Sequence, residues 1–269
     1  MKTEISQGAV IDRVPDNHET PTITTGRKYL YAIVPRGESR VYPALGIDGS
    51  DVFMIEDGNV AAVVSNCERS KIRPERAHLA RHQAVLRRLM EDMSPLPMTF
   101  ATIAAGPREI HRILSKNKRA FEQRLQRVEG KVEMGLRVAW DVPNIFEYFV
   151  NVHPQLRVER DRLMGPRQGF TQEEKIELGR MFDRLLTSDR EEHTRRVTRV
   201  LTPVCAELKA IPCRGEREIM KLACLVKRDA QDAFSAAIFE AAKRFDNNFI
   251  FDYNGPWAPH NFVEIDMAE

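Results

Sequence analysis

The longest unbroken apolar stretch in the chain is six residues, Tyr29-Leu30-Tyr31-Ala32-Ile33-Val34, closed by Pro35. A membrane-spanning helix needs about 20 such residues. The sequence is therefore expected to spread its apolar side chains over short buried elements of a soluble chain. The run's length and its aromatic and β-branched content fit a buried strand. Beyond it, Val52-Phe53-Met54-Ile55 and Val60-Ala61-Ala62-Val63-Val64 flank the turn Asp57-Gly58-Asn59, which is a hairpin pattern. Gly46-Ile47-Asp48-Gly49 is too short to cradle a phosphate and precedes a strand, so it reads as a turn.

Helical periods alternate with these strands. Pro74 opens a helix with Leu79, His82, Leu86, Leu89 and Met93 on one face. Leu96 to Ile103 reads as a strand, which Pro97 confines to a sheet edge or whose first residues it marks. Gly106-Pro107 opens a second helix with Ile110, Leu114, Phe121, Leu125 and Val128 on one side. Lys131 to Asp141 alternates through Val132, Met134, Leu136, Val138 and Trp140, the pattern of a half-buried strand. This order predicts an α+β domain over residues 27–150, a modified ferredoxin-like sheet with two helices on one face.

Pro143 and Pro154 mark a change of character. Residues 155–165 and 172–208 are helical and heavily charged, and the polar stretch Thr187–Arg196 predicts that the long helix projects or breaks there. Met220–Val226 and Phe249–Phe251 read as strands around an Ala-rich helix, Ala230–Phe245, with Phe234, Ile238 and Ala241 on one face. A second α+β domain is expected over residues 151–269, and the polar residues 1–26 read as a flexible tail. A length of 269 residues fits two domains of about 100–200 residues each.

The residues offer little for catalysis. Lys and Arg number 41 against 39 Asp and Glu, so no global charge draws the chain to nucleic acid or to an anionic membrane. Cys67, Cys205, Cys213 and Cys224 lack metal-site spacing and read as reduced, mostly buried thiols. No G-x-G-x-x-G, Walker or G-x-S-x-G motif is present. His78 and His82 have the spacing of a zinc pair, but Leu79 stands where the Glu base would follow. His82 lies on the apolar face, as a buried, hydrogen-bonded histidine would. Glu173-Glu174 and Glu191-Glu192 lie close to Lys or Arg, and helical pairing accounts for them. Trp140, Trp257 and Phe262 read as core. No catalytic, cofactor-binding or metal-binding residue is expected.

One electrostatic feature stands out. Arg108, Arg112, Lys116, Arg119 and Arg127 share the side of the second helix away from its apolar stripe. Arg112, Lys116 and Arg119 are candidate protein-binding residues. The alternative, an RNA-binding or regulatory ferredoxin-like module using residues 108–128, lacks aromatic residues interleaved for base stacking.

Several segments together resemble the gas vesicle proteins GvpF and GvpL. They are Tyr29–Val34, Gly46-Ile47-Asp48-Gly49 with Ala61-Ala62-Val63-Val64-Ser65, His82-x-x-Val85-Leu86 and Leu96-Pro97-Met98-Thr99-Phe100-Ala101-Thr102. Near the C-terminus come Leu222–Val226, Phe249–Phe251 and Gly255-Pro256-Trp257-Ala258-Pro259-His260-Asn261-Phe262-Val263. Thr99 and Ala101 replace the Arg and Gly of the family's usual Pro-Met-Arg-Phe-Gly-Thr, and His260 replaces a common Tyr. An alanine at 101 implies a backbone that does not need glycine's φ range.

The resemblance implies a two-domain accessory or minor structural protein of the gas vesicle. Its implied partners are the GvpA-type shell protein and other gas vesicle proteins, with no nucleic acid, membrane, cofactor or enzymatic activity. On that basis the first domain is expected to grip the shell protein by adding a strand to a sheet edge. The candidate edges are Leu96, Met98 and Phe100 or the strand Lys131–Trp140. His82, Pro97, Gly255, Pro256, Trp257, Pro259 and Phe262 are expected to be structural. Trp257 should pin its turn, with truncation costing about 3–5 kcal/mol if its ring is fully buried.

Overall fold

The six-residue apolar run lies inside β1 (Lys28–Pro35), an inner strand of the first of two sheets. The computed structural model describes residues 25–38, 40–165 and 171–263. Of the tail expected over residues 1–26, all but the last two residues lie outside that description. The described chain divides into one unit of residues 25–91 and 97–123 and another of residues 92–96 and 124–263.

In the first unit, β2 (Val52–Asp57) and β3 (Val60–Asn66) form the expected hairpin. Gly58, at φ +62°, supplies the left-handed backbone that a two-residue loop requires. Next come α1 (Arg76–Asp92), β4 (Leu96–Pro97), β5 (Ile103–Ala104) and α2 (Pro107–Val128). The strand order is β2-β3-β1-β4, with β5 also pairing to β1. Lys28 to Val34 and Val60 to Ser65 are buried without alternation. Both faces of these inner strands are thus covered, where one covered face was expected.

Two local expectations are corrected here. The buried face of α1 is His78, His82, Val85, Leu86, Leu89 and Met90, while Leu79 is exposed. The single strand expected over Leu96–Ile103 is instead two two-residue strands joined by a turn. The turn forms because Ala101 takes φ +66°, and an L residue there costs about 1–2 kcal/mol. Alanine at this position therefore does not relieve the backbone of a glycine-like conformation; it occupies one.

The second unit's elements are β6 (Lys131–Trp140), α3 (Ile145–Val152), α4 (Pro154–Leu163), α5 (Gln172–Leu201), β7 (Glu207–Ile211), β8 (Glu218–Lys227), α6 (Gln231–Ala242) and β9 (Phe249–Trp257). The sheet order is β7-β8-β6-β9, every neighbouring pair antiparallel. This corrects the placing of Lys131–Trp140 in the first sheet. A 10-residue strand finds partners of matching length only in β8, of 10 residues, and β9, of 9.

Helix α5 runs unbroken for 30 residues from a capping box between Thr171 and Glu174. Its polar middle neither projects nor breaks. Arg190 donates to the carbonyls of Glu218 at 2.9 Å, Gly215 at 2.7 Å and Glu216 at 3.1 Å. Arg196 donates to the Arg244 carbonyl at 2.8 Å, and His193 lies against the rings of Trp140, Phe245 and Phe249. The helix ends at Leu201 rather than near 208, because Pro203 cannot continue it. Of the residues so freed, Thr202–Val204 form a 3-10 turn and Glu207 and Leu208 open β7. On α6 the expected Phe234, Ile238 and Ala241 are the buried residues.

Candidate functional site

The N-terminal segments that carry the family resemblance converge inside the first unit. Tyr29 and Tyr31 sit two apart on β1, where its register with β3 shifts between Leu30 and Ala32, and their ring centroids lie 4.6 Å apart. The Tyr29 hydroxyl accepts from the Ala101 N–H at 3.0 Å and lies 2.9 Å from His82 Nδ1. The Tyr31 hydroxyl accepts from the Ile47 N–H at 2.8 Å and bonds Ser65 Oγ at 2.9 Å. Burial pushes both phenols up, Tyr31 to about 12. Phe100 and His82 close the cluster edge-on, with centroids 5.8 Å apart. A Cβ on Gly46 would stand 2.7 Å from the Tyr31 oxygen, so that position must be glycine for the loop to reach the phenol. His82 is thus a buried, bonded histidine on the apolar face of α1. His78 bonds elsewhere, to the Arg73 carbonyl at 3.1 Å and Asp48 Oδ1 at 3.2 Å.

This arrangement removes one of the two edges proposed for strand addition. Leu96, Pro97 and Met98 are buried and Phe100 is half-buried, while β4 is the last strand in the order of the first sheet. The strand Lys131–Trp140 has β8 on one side and β9 on the other, which leaves it no edge to offer. What does face solvent in the first unit is the basic row of α2: Arg108, Arg112, Lys116 and Arg119 are all exposed. Arg112 pairs weakly with Glu109 at 3.4 Å. Arg127, in the second unit, is committed instead to Glu207, through Nε at 2.7 Å and through Nη2, and it holds the Glu207 carboxyl below its ordinary range.

The C-terminal motif is fastened by residues that the sequence pattern did not mark. Gly255 takes φ +124°, and a Cβ there would meet the Glu133 carbonyl at 2.9 Å. The peptide bond to Pro256 is cis. Asn261 then donates its N–H to Glu133 Oε2 at 2.8 Å and its side-chain amide to Oε1 at 2.5 Å. Phe262 packs on Ala223 and Leu225, and Ala258, Pro259 and Val263 are buried. Trp257 is 39% exposed, with its indole N–H on Asn254 Oδ1 at 2.7 Å. The turn is held by Asn261 and Phe262, so the expectation of a pinning, core Trp257 is corrected.

Glu133 gives this latch a pH signature. It is a buried acid on β6, and burial pushes its carboxyl above the ordinary 4.5 despite the bonds from Asn261. The folded state therefore binds the proton more tightly than the unfolded state. Stability from this group is full below 4.5 and is lost as pH rises from there through the folded value. In urea unfolding, the gap between wild type and Glu133→Gln should shift against wild type over that rise and then level off. A gap independent of pH would disprove the raised carboxyl.

The thiols also differ from expectation. All four are free, but only Cys224 is buried, and Cys67, Cys205 and Cys213 are partly exposed. Among the described residues no group of three or more His, Cys, Asp or Glu side chains is gathered as a metal site, and no helix is long and apolar enough to cross a membrane.

Comparison with known proteins agrees with this architecture. The chain is 26% identical over 241 residues to gas vesicle protein F of Streptomyces sp. strain CB03234, covering 88% of this chain and 99% of the relative. It is 26% identical over 268 residues to gas vesicle protein L1 of Halobacterium salinarum, covering 91% and 93%. The crystal structure of GvpF from Anabaena sp. PCC7120 superimposes with a TM-score of 0.79 at 23% identity, covering 90% of this chain and 99% of that one. GvpF from Microcystis aeruginosa gives 0.76 at 21% identity, covering 90% and 100%. Residues 27–264 match the family described as gas vesicle synthesis protein GvpL/GvpF, and the chain belongs to that family.

Proposed function

We propose that this protein serves gas vesicle assembly in the cytoplasm as a non-enzymatic binding protein, holding the GvpA-type shell protein and other gas vesicle proteins. A shell subunit must present an apolar face to gas, and before assembly such a face is an aggregation hazard. A partner that holds it at the growing vesicle would limit that hazard. The observation that carries this reading is the basic row Arg108, Arg112, Lys116 and Arg119, solvent-exposed on α2, while Ile110, Leu114 and Phe121 on the other side are buried. Exposed cations aligned along a rigid helix suit an acidic face of a partner, where complementary charge governs encounter and register. Strand addition through Lys131–Trp140 has no place in this reading, since that strand is paired on both sides.

The test uses the full chain, because residues on either side of 150 share one sheet. The triple variant Arg112→Glu, Lys116→Glu and Arg119→Glu should capture the shell protein about tenfold less well, a loss of about 1.4 kcal/mol, with unfolding unchanged within about 0.5 kcal/mol. Capture equal to wild type would remove α2 from the mechanism. If the wild-type chain captures no shell protein, direct binding is wrong.

A further inference from the structure

The second sheet ends in two edges of different character. β7 is five residues long. It carries Glu207, bonded to Arg127, and Lys209, whose Nζ donates to the Asn261 carbonyl at 3.2 Å. Short length and charge are the means by which natural sheets protect an edge. β9 has neither protection over Phe249–Asn254. Among the described residues it pairs with β6 alone. Its one charged side chain, Asp252, is turned back onto Arg137 at 2.9 Å. Gly255 and the cis bond to Pro256 come only after that run. Ile250 and Tyr253 are exposed.

The direction of each β9 backbone group follows from the bonds of β6. Asp141 donates its N–H to the Asn248 carbonyl at 2.7 Å, and Trp140 donates to the Arg217 carbonyl at 2.9 Å. Trp140 thus turns toward β8 and Asp141 toward β9. Partners alternate along an antiparallel ladder, and the register from Trp140–Phe249 to Gly135–Asn254 is unbroken. Ile250, Asp252 and Asn254 therefore direct N–H and C=O to β6. Phe249, Phe251 and Tyr253 direct theirs away from the sheet, to the open edge. Their side chains share one face of it. The Phe249 and Phe251 rings lie against Phe245 at 5.0 and 5.1 Å, and Tyr253 lies against Phe234 at 6.4 Å.

We propose that this edge is the contact of a two-fold dimer, in which β9 of a second copy adds antiparallel to β9 and joins the two sheets into one. An isologous contact needs a surface complementary to itself, and this strand has that property. With the axis at Phe251, Phe251 faces the second copy's Phe251, and Phe249 faces the second copy's Tyr253. Every outward N–H and C=O of Phe249, Phe251 and Tyr253 then finds a partner, and aromatic side chains meet across the strands. In the intervening pairs Asp252 faces the second copy's Ile250, so like charges are kept apart. Moving the axis to Asp252 would set the two Asp252 carboxylates opposite each other, which is destabilising. It would also set Phe249 opposite Gly255, whose φ of +124° lies off the strand path. Moving it the other way, to Ile250, would set Tyr253 opposite Asn247, beyond the start of β9. The charge and length of the strand thus fit a second copy in one register.

The test is sedimentation equilibrium of the purified full chain over a concentration series, with no other protein present. Wild type should reach twice the monomer mass. Ile250→Glu sets a carboxylate opposite Asp252 on both sides of the axis and should weaken the dimer about tenfold. Ile250→Lys sets the opposite charge there and should keep it. Ile250 is exposed, so neither change disturbs the core. A wild type that stays monomeric at its highest soluble concentration overturns the proposal. Equal dimerisation of the Glu and Lys variants overturns it too, since the contact would then lie on another face. Amide exchange of wild type decides the matter without any variant. The Phe249, Phe251 and Tyr253 N–H groups should be protected in the dimer and lose protection on dilution. A dimer in which they exchange freely would equally sink the idea.

Discussion

Truncating Tyr29 to Ala is expected to destabilise the first unit by about 3–5 kcal/mol, the range for removing a fully buried aromatic ring. The ring has no exposure, and its centroid lies 4.6 Å from that of Tyr31 and 6.2 Å from that of Phe100. Its hydroxyl adds a second, separable effect. Tyr29→Phe keeps the packing but strips the Ala101 N–H and His82 Nδ1 of the oxygen they share. Leaving buried polar groups so deprived costs about 1–3 kcal/mol. Combined with His82→Ala, the cycle should show a coupling of about 0.5–3 kcal/mol. Both tryptophans, Trp140 and Trp257, belong to the second unit. The measurement should therefore follow backbone circular dichroism or amide exchange of β1 instead of tryptophan emission. A Tyr29→Ala loss under about 1 kcal/mol would show that the cluster is not the keystone of this unit.

The second large effect is expected at Trp140, 2% exposed at the end of β6. Its ring meets Phe149 edge-on at 5.3 Å and His193 at 6.4 Å. Around them, Phe182 stands against Phe149, and Phe245 and Phe249 against His193. Trp140→Ala opens a cavity at the meeting point of β6, α3 and α5, and should cost about 3–5 kcal/mol. Trp140→Phe should cost far less than its loss of volume suggests. Trp140 Nε1 and His193 Nδ1 are buried with no hydrogen-bond partner among the described residues. Removing the indole N–H takes away one of these desolvated groups at no cost in bonds. Urea unfolding of the three forms decides the matter. A Phe variant as unstable as the Ala variant would mean that the indole N–H is in fact bonded.

How far these sites could be read beforehand depends on what a linear pattern encodes. Tyr29–Val34, the Gly58 hairpin, the apolar stripe of α2 and the Phe234–Ile238–Ala241 face of α6 were legible, because period and turn chemistry act locally. Sheet membership was not: the alternation of Lys131–Trp140 reports which way side chains point and says nothing of which strands lie beside it. The break at Ala101 was hidden because its left-handed backbone is imposed by the Tyr29 hydroxyl, 72 residues away. Arg190, His193 and Arg196 looked like a solvated stretch because their partners are carbonyls and rings distant in sequence. The same holds for the site residues. His82 could be placed from its helical face, whereas Glu133 looked like an outward residue of a half-buried strand until Asn261 supplied its two donors.

The central place of β6 also bears on how the chain is made. The described residues of the first unit are complete once Gln123 has been synthesised. β6 follows directly, yet Lys131 pairs with Lys227 and Trp140 with Phe249. At about 5–20 residues per second, the nascent strand waits roughly 5–20 s for its neighbours. During that interval a 10-residue, half-apolar strand is exposed on both edges, a state prone to pairing with other chains. Poor yield in a foreign host would then arise at the ribosome, and slower initiation or a chaperone that shields β6 would relieve it more than any stabilisation of the finished fold.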